Sequence, residues 1–200
     1  MARVKLENVR IAFPSLWRKA TFGGGTADEK STKFEATFLI NKSDTETLAK
    51  IKGAINQALI KKYGDKESFP PGITSSGRCC FRNGDDVAYD GFAGHMSLKC
   101  ANKVRPSVIN RDKSALTEED GVVYGGCYVN VSFDIWIQDN SYGKKVNANL
   151  YAVQFAGDGE PFGAGSIPEG IIDDFDEIEG SSQEVSDVLD DDLDMDFDGI

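Results

Sequence analysis

From Cys127 to Ile137 the chain reads CYVNVSFDIWI, with an apolar residue at every second position and Tyr128, Asn130, Ser132, Asp134 and Trp136 between them. A strand turns successive side chains to opposite faces, so this period of two fits a half-buried strand and no helix. A short Asn140-Ser-Tyr-Gly143 turn and a second extended run over 146–155 follow, which predicts a β-hairpin. Phe34, Ala36, Phe38 and Ile40 alternate in the same way, as do Met96, Leu98 and Cys100. The latter run places Lys99 on an outer, basic face and stops at Arg105-Pro106. Near the start, Val4 and Leu6 change phase to Val9, Ile11 and Phe13, the mark of a bulge at Glu7 and Asn8.

Helical spacing occurs once. Ser43 and Glu46 form a capping box, and Leu48, Ile51, Ile55, Ala58 and Leu59 make an apolar stripe that ends at Tyr63-Gly64. Residues 14–32, which include Gly23-Gly24-Gly25, read as a long mobile loop. Together these patterns predict a mainly β fold, an OB-fold-like five-stranded barrel with one helix and long loops, with a β-sandwich as the competing plan. The expected organisation is a nucleic-acid-binding domain over 1–156, a linker over 157–170 rich in Gly and Pro, and a disordered acidic tail over 171–200.

The net charge of -11 averages two unlike parts. Residues 171–200 hold thirteen of the 33 acidic residues and none of the 22 basic ones, so residues 1–154 carry a net charge of +5. A basic body joined to an acidic end points to nucleic acid or to an interaction tail. No apolar run has the length of a signal peptide or a membrane span, and the expected location is the cytoplasm, with no membrane partner. Cys79, Cys80, Cys100 and Cys127 lack zinc-site spacing and read as buried, reduced thiols.

Enzymatic readings find little support. His95 is the single histidine, so a His-rich metal site is excluded, and the glycine triplet lacks the lysine of a phosphate loop. Asp85, Asp86 and Asp90 could be the carboxylates of a metal-dependent nuclease, yet RNGDDVAYDG is also the composition of a turn. No enzyme activity, cofactor or metal is expected. A surface for single strands needs cations that track phosphates and rings on which bases stack. The body supplies candidate cations in Arg3, Lys5, Arg18, Lys19, Arg78, Arg82, Lys99, Lys103, Arg105, Lys144 and Lys145. Trp17, Phe81, Tyr128, Trp136 and Tyr142 are candidate stacking rings, each with an alternative place in the core.

In the tail, Asp190, Asp191, Asp192, Asp194, Asp196 and Asp198 are interspersed with large apolar residues and followed by Ile200. Such a tether can compete with a nucleic-acid strand for the body's groove, or dock on a partner protein through Phe197 and its neighbours. A third reading is a protein-interaction module whose tail mimics DNA.

The stretches RVKLENVRIAFPSLW, KVRPSVINRD, VVYGGCYVNVSFDIW and NANLYAVQFAGDGEPFG, in this order and ending in an acidic tail, resemble the single-stranded DNA-binding proteins of tailed phages. The resemblance implies an OB fold, sequence-independent binding of single-stranded DNA in phage replication and recombination, and a tail that shields the groove and contacts replication proteins. Duplex DNA would be the weaker ligand, and oligomeric state is left open. The plan is also similar to that of bacterial single-stranded DNA-binding proteins, whose tails end in phenylalanine; here Phe197 is followed by Asp198-Gly199-Ile200.

Overall fold

A computed structural model describes residues 3–20 and 33–163. Expectations for 21–32, including the glycine triplet, and for 164–200, including the tail residues named above, lie outside the described residues. Among the described residues the strands are β1 (Val4–Ala20), β2 (Lys33–Asn41), β3 (Phe81–Asn83), β4 (His95–Asn102), β5 (Ser107–Ile109), β6 (Tyr128–Asn140) and β7 (Gly143–Gly157). One helix, α1 (Thr45–Tyr63), lies between β2 and β3 in the chain.

The alternating run becomes β6, and its partner across the Asn140↔Gly143 turn is β7, as the hairpin reading requires. The strands form one sheet in the order β3-β4-β2-β1-β6-β7-β5, so five long strands match the expected barrel and β3 and β5 are three-residue additions at its ends. Backbone bonds from residues 78–80 join those ends. The Val146 amide of β7 donates to the Arg78 carbonyl at 2.8 Å, the Cys80 amide donates to Val146 at 2.9 Å, and the Lys99 amide of β4 donates to the Cys80 carbonyl at 2.8 Å. Bridging the open sheet in this way closes it locally and covers part of the edges that β4 and β7 would otherwise present.

The bulge falls where the phase changes, between Leu6 and Val9 in the β1–β6 register, and Asn8 takes a left-handed φ of 52° there. Residues 14–20 correct the loop expectation. They continue β1, pairing Ser15 with Glu35 and Ala20 with Lys33, because a register shift after Ala12 takes Pro14 out of the ladder where its missing N–H would cost a bond.

Helix α1 packs against β6 and β1 and buries Leu48, Ile51, Ile55 and Leu59, the predicted stripe. Its cap is Asp44 and not Ser43: the Asp44 carboxylate accepts from the Thr47 amide at 3.0 Å. Ser43 is already committed to a turn, giving its amide and hydroxyl to Asn41 Oδ1. The helix stops at Gly64, whose φ of 94° suits glycine. Phe38, Phe133, Leu6, Ile11, Leu98 and Leu150, all but inaccessible to solvent, fill the core.

Residues 158–163, at the start of the expected linker, lie against the body. Arg10 donates to the Glu160 carbonyl and stacks on Phe162 at 4.2 Å, while the Phe162 amide donates to Gly125 at 2.9 Å. Gly126 makes the crossing possible, since a Cβ there would run into the Glu160 carbonyl. No described helix is long and apolar enough to cross a membrane.

Candidate nucleic-acid interface

The outward face of the closure carries a groove of about 600 Å³. Its pleat follows from strand alternation: Lys33 and Glu35 of β2, Lys99 and Ala101 of β4, and Lys145, Asn147 and Asn149 of β7 all fall on the side opposite the core residues. Arg78, Arg82 and Lys103 add to them from the flanking segments, so among the described residues six cations line the groove, with Glu35 as the acidic one in its walls. Trp136, half-buried and in register opposite Asn147, closes one side.

Individual contacts hold these groups in place. Arg78 Nη1 donates to the Pro71 carbonyl at 3.1 Å and Arg82 Nε to the Cys79 carbonyl at 3.0 Å, leaving each exposed guanidinium with further N–H donors. Lys99 pairs with Glu35 at 2.8 Å. Cys79 and Cys80, both buried and free of disulfides, also line the groove. The hydrogen bond from Cys80 pulls the Cys79 thiol down to about 7 against the opposing effect of burial, and the Arg82 charge adds to the lowering. Asn149 is tied into a hydrogen-bond network outside the lining. Asn149 Nδ2 and the Tyr151 hydroxyl each donate to the buried Asp134 carboxylate at 2.9 Å, and Arg3 lies over the Tyr151 ring at 5.5 Å. The Asp134 bond also raises the Tyr151 pKa, keeping the phenol a donor.

Of the cations singled out in the sequence, Arg78, Arg82, Lys99, Lys103 and Lys145 meet in this groove, together with the ring of Trp136. The others are dispersed. Lys5 pairs with Glu7 at 2.7 Å and Arg18 with Glu118 at 2.9 Å. Lys144, one residue from Lys145, faces the other way, 5.8 Å over the Tyr63 ring and 3.8 Å from Asp139. Lys19 and Arg105 are exposed outside the groove lining. Phe81 is buried in the core with 8% exposure, so its ring has no open face. Trp17 packs against the core and donates from Nε1 to the Leu116 carbonyl at 3.3 Å. Tyr142 stands at the hairpin tip, 86% exposed. Tyr128 shares the face of Trp136 but lies eight residues away, roughly 27 Å along a strand, under Arg10.

Sequence reasoning missed Lys33, Asn147 and Asn149. Their signal was present as the polar phase of Lys33-Phe34-Glu35-Ala36 and of Val146-Asn147-Ala148-Asn149-Leu150. The nuclease candidates do not converge. Asp85 is held by Lys42 and by the Gly94 amide, Asp86 by Asn83 at 3.0 Å, and Asp90 by the Gly163 amide at 3.1 Å. Lys42 keeps the Asp85 pKa below its ordinary value, as expected of a carboxylate tied into a loop. Among the described residues no group of three or more His, Cys, Asp or Glu could hold a metal ion.

Comparison with known proteins agrees with this architecture. Protein p50 of Acyrthosiphon pisum secondary endosymbiont phage 1 is 38% identical over 185 residues, covering 91% of this chain and 97% of p50. The single-stranded DNA-binding protein of bacteriophage Enc34, solved in complex with ssDNA, superimposes with a TM-score of 0.65 at 28% identity, over 80% of this chain and 89% of that one. The fold is shared more distantly with gp2.5, a single-stranded DNA-binding protein encoded by bacteriophage T7, at a TM-score of 0.50 and 14% identity, over 78% and 92% of the two chains. The family model described as Enterobacter phage Enc34, ssDNA-binding protein, matches residues 2–188, and the chain belongs to that family.

Proposed function

We propose that this chain binds single-stranded DNA in the groove between β4 and β7, without marked sequence preference, and serves phage DNA replication and recombination in the host cytoplasm. The observation that carries the reading is the meeting of six cations and the Trp136 ring on one outward face. Phosphates would follow Lys33, Arg78, Arg82, Lys103 and Lys145, with Lys99 held to Glu35, while a base stacks on Trp136. Such contacts are made to the backbone and to the face of a base, which every nucleotide offers. Duplex DNA keeps its bases stacked on one another and forgoes the ring, so it is the weaker ligand.

The acidic residues of 171–200 oppose this charge. As a tethered strand of carboxylates they compete with DNA for the groove at an effective concentration that reaches millimolar, and when DNA displaces them they become available to replication proteins. Direct binding tests the reading: labelled oligo-dT should bind the full-length protein more tightly than a duplex of equal length, with affinity falling steeply as salt rises. Salt-independent binding, or equal affinity for the two, would overturn it.

A further inference from the structure

Three aromatic rings meet on the outer face of the sheet, outside the groove. Phe13 lies 5.1 Å from Tyr89 and 5.8 Å from Phe92, ring centre to ring centre, and Tyr89 lies 5.4 Å from Phe92. Phe92 is buried on Ala12 and Leu39, while Phe13 and Tyr89 are 55% and 56% exposed. Val9 and Ile11 face the core, and strict alternation would send Phe13 after them. Its φ of 50° prevents that. At a register shift in β1 the residue takes the left-handed conformation, which bulky side chains avoid, and turns its ring outward. A strained residue that keeps an apolar ring in solvent is a mark of function.

The loop that carries Tyr89 and Phe92 holds them in place. Asp85 accepts from the Gly94 amide at 2.7 Å, and the Phe92 amide donates to the Tyr89 carbonyl at 3.2 Å. Gly84 fits against the Phe92 and His95 carbonyls, where a Cβ would collide. Rings fixed before binding lose little freedom when a flat partner stacks on them. Their position continues the groove: Lys99 pairs in register with Thr37 of β2, and Thr37 with Ala12 of β1. Two strand spacings, roughly 10 Å, therefore lead from the groove to the residue beside Phe13. The charges around the rings do not extend the phosphate track. Arg10 donates to the Gly126 and Glu160 carbonyls, Lys42 is held by Asp85, and Asp90 follows Tyr89 in the chain.

We propose that Phe13 and Tyr89 form a second base-stacking platform, which takes bases of the single strand as it leaves the groove beside Lys99 and crosses β2 to β1. The occupant is the same DNA, so the proposal rests on the DNA-binding reading. Having rings and no spare cation, the platform adds to affinity through bases and leaves the salt dependence as the groove sets it.

The double variant Phe13→Ala, Tyr89→Ala tests this with two labelled strands of about 16 nucleotides, oligo-dT and a fully abasic strand. It should bind oligo-dT about tenfold more weakly than wild type, with an unchanged slope of log affinity against log salt. It should bind the abasic strand as wild type does, which also shows that the groove is folded. Tyr89→Phe keeps the ring and should keep wild-type affinity. Equal oligo-dT affinity in wild type and double variant would overturn the platform alone and leave the rings to a protein partner or a second copy. An equal loss on the abasic strand, or a flatter salt slope, would overturn it as well, since the residues would then act through phosphates or through the fold. Wild type that binds neither strand would overturn the DNA-binding reading and the platform with it.

Discussion

Replacing Lys103 and Lys145 together by alanine removes two of the six cations that line the groove, one from the exit of β4 and one from β7. Among the described residues neither is paired with a carboxylate, whereas Lys99 shares its charge with Glu35 at 2.8 Å. Counting Lys99 as neutralised leaves five effective phosphate contacts. At roughly 0.7 counterions released per contact on a single strand, log affinity should fall against log salt with a slope of about -3.5. Between about 50 and 200 mM salt that slope is a loss of roughly a hundredfold. The double variant should show a slope near -2 and lose only about twentyfold over the same range. Both lysines are exposed, so stability should shift by no more than ~0.5 kcal/mol and the comparison should report binding alone. Fluorescence anisotropy of a labelled oligo-dT across a salt series measures both slopes. Parallel lines for the two proteins would refute the assignment of these lysines to phosphates, whatever the absolute affinities.

Truncation after Gly170 should tighten oligo-dT binding, most at low salt where charge competition is least screened; unchanged affinity in anisotropy would leave the acidic residues no competitive role. Trp136→Ala should weaken binding by about 1 to 3 kcal/mol while Trp136→Phe retains much of it, and equal losses in a titration would argue against stacking. Asp44→Ala should cost about 1 kcal/mol of stability in denaturant unfolding at neutral pH through loss of the α1 cap. The Asp44 pKa is lowered by the bond from the Thr47 amide, so its contribution is present above the unfolded-state pKa of about 4 and lost as pH falls through the lower folded value. Wild type and variant should therefore converge in stability at acid pH, and a gap that persists there would refute this account of the cap.

Legibility in the sequence followed the range of the interaction. The β6–β7 hairpin, the α1 stripe and the bulge before Val9 depend on neighbours a few residues apart, and each was readable from periodicity. The helix cap was missed by one residue because Ser43 and Asp44 are both good caps, and only the Asn41 turn decides between them. The extension of β1 through Pro14 to Ala20 depends on pairing with β2 and is invisible to local composition. Closure brings residues 78–80 to Val146 of β7 across more than sixty residues of chain and leaves no period to read. Yet that closure makes the groove, which explains the pattern of successes at the site. The sequence showed which residues were basic and which faces polar; it could not show that Lys145 faces Lys99 while Lys144 turns to Tyr63. Phe81, flanked by Arg78 and Arg82, looked like a stacking ring for the same reason, and the β3–β4 pairing buries it.

The central claim is that a single strand runs through this groove with a base against Trp136. An oligo-dT strand carrying 5-iododeoxyuridine, photocrosslinked to the full-length protein and mapped by mass spectrometry, tests it most directly. The account predicts adducts on Trp136 that disappear in excess unlabelled oligo-dT. Adducts confined to Trp17, Tyr142 or Tyr128, with Trp136 unmodified, would contradict it.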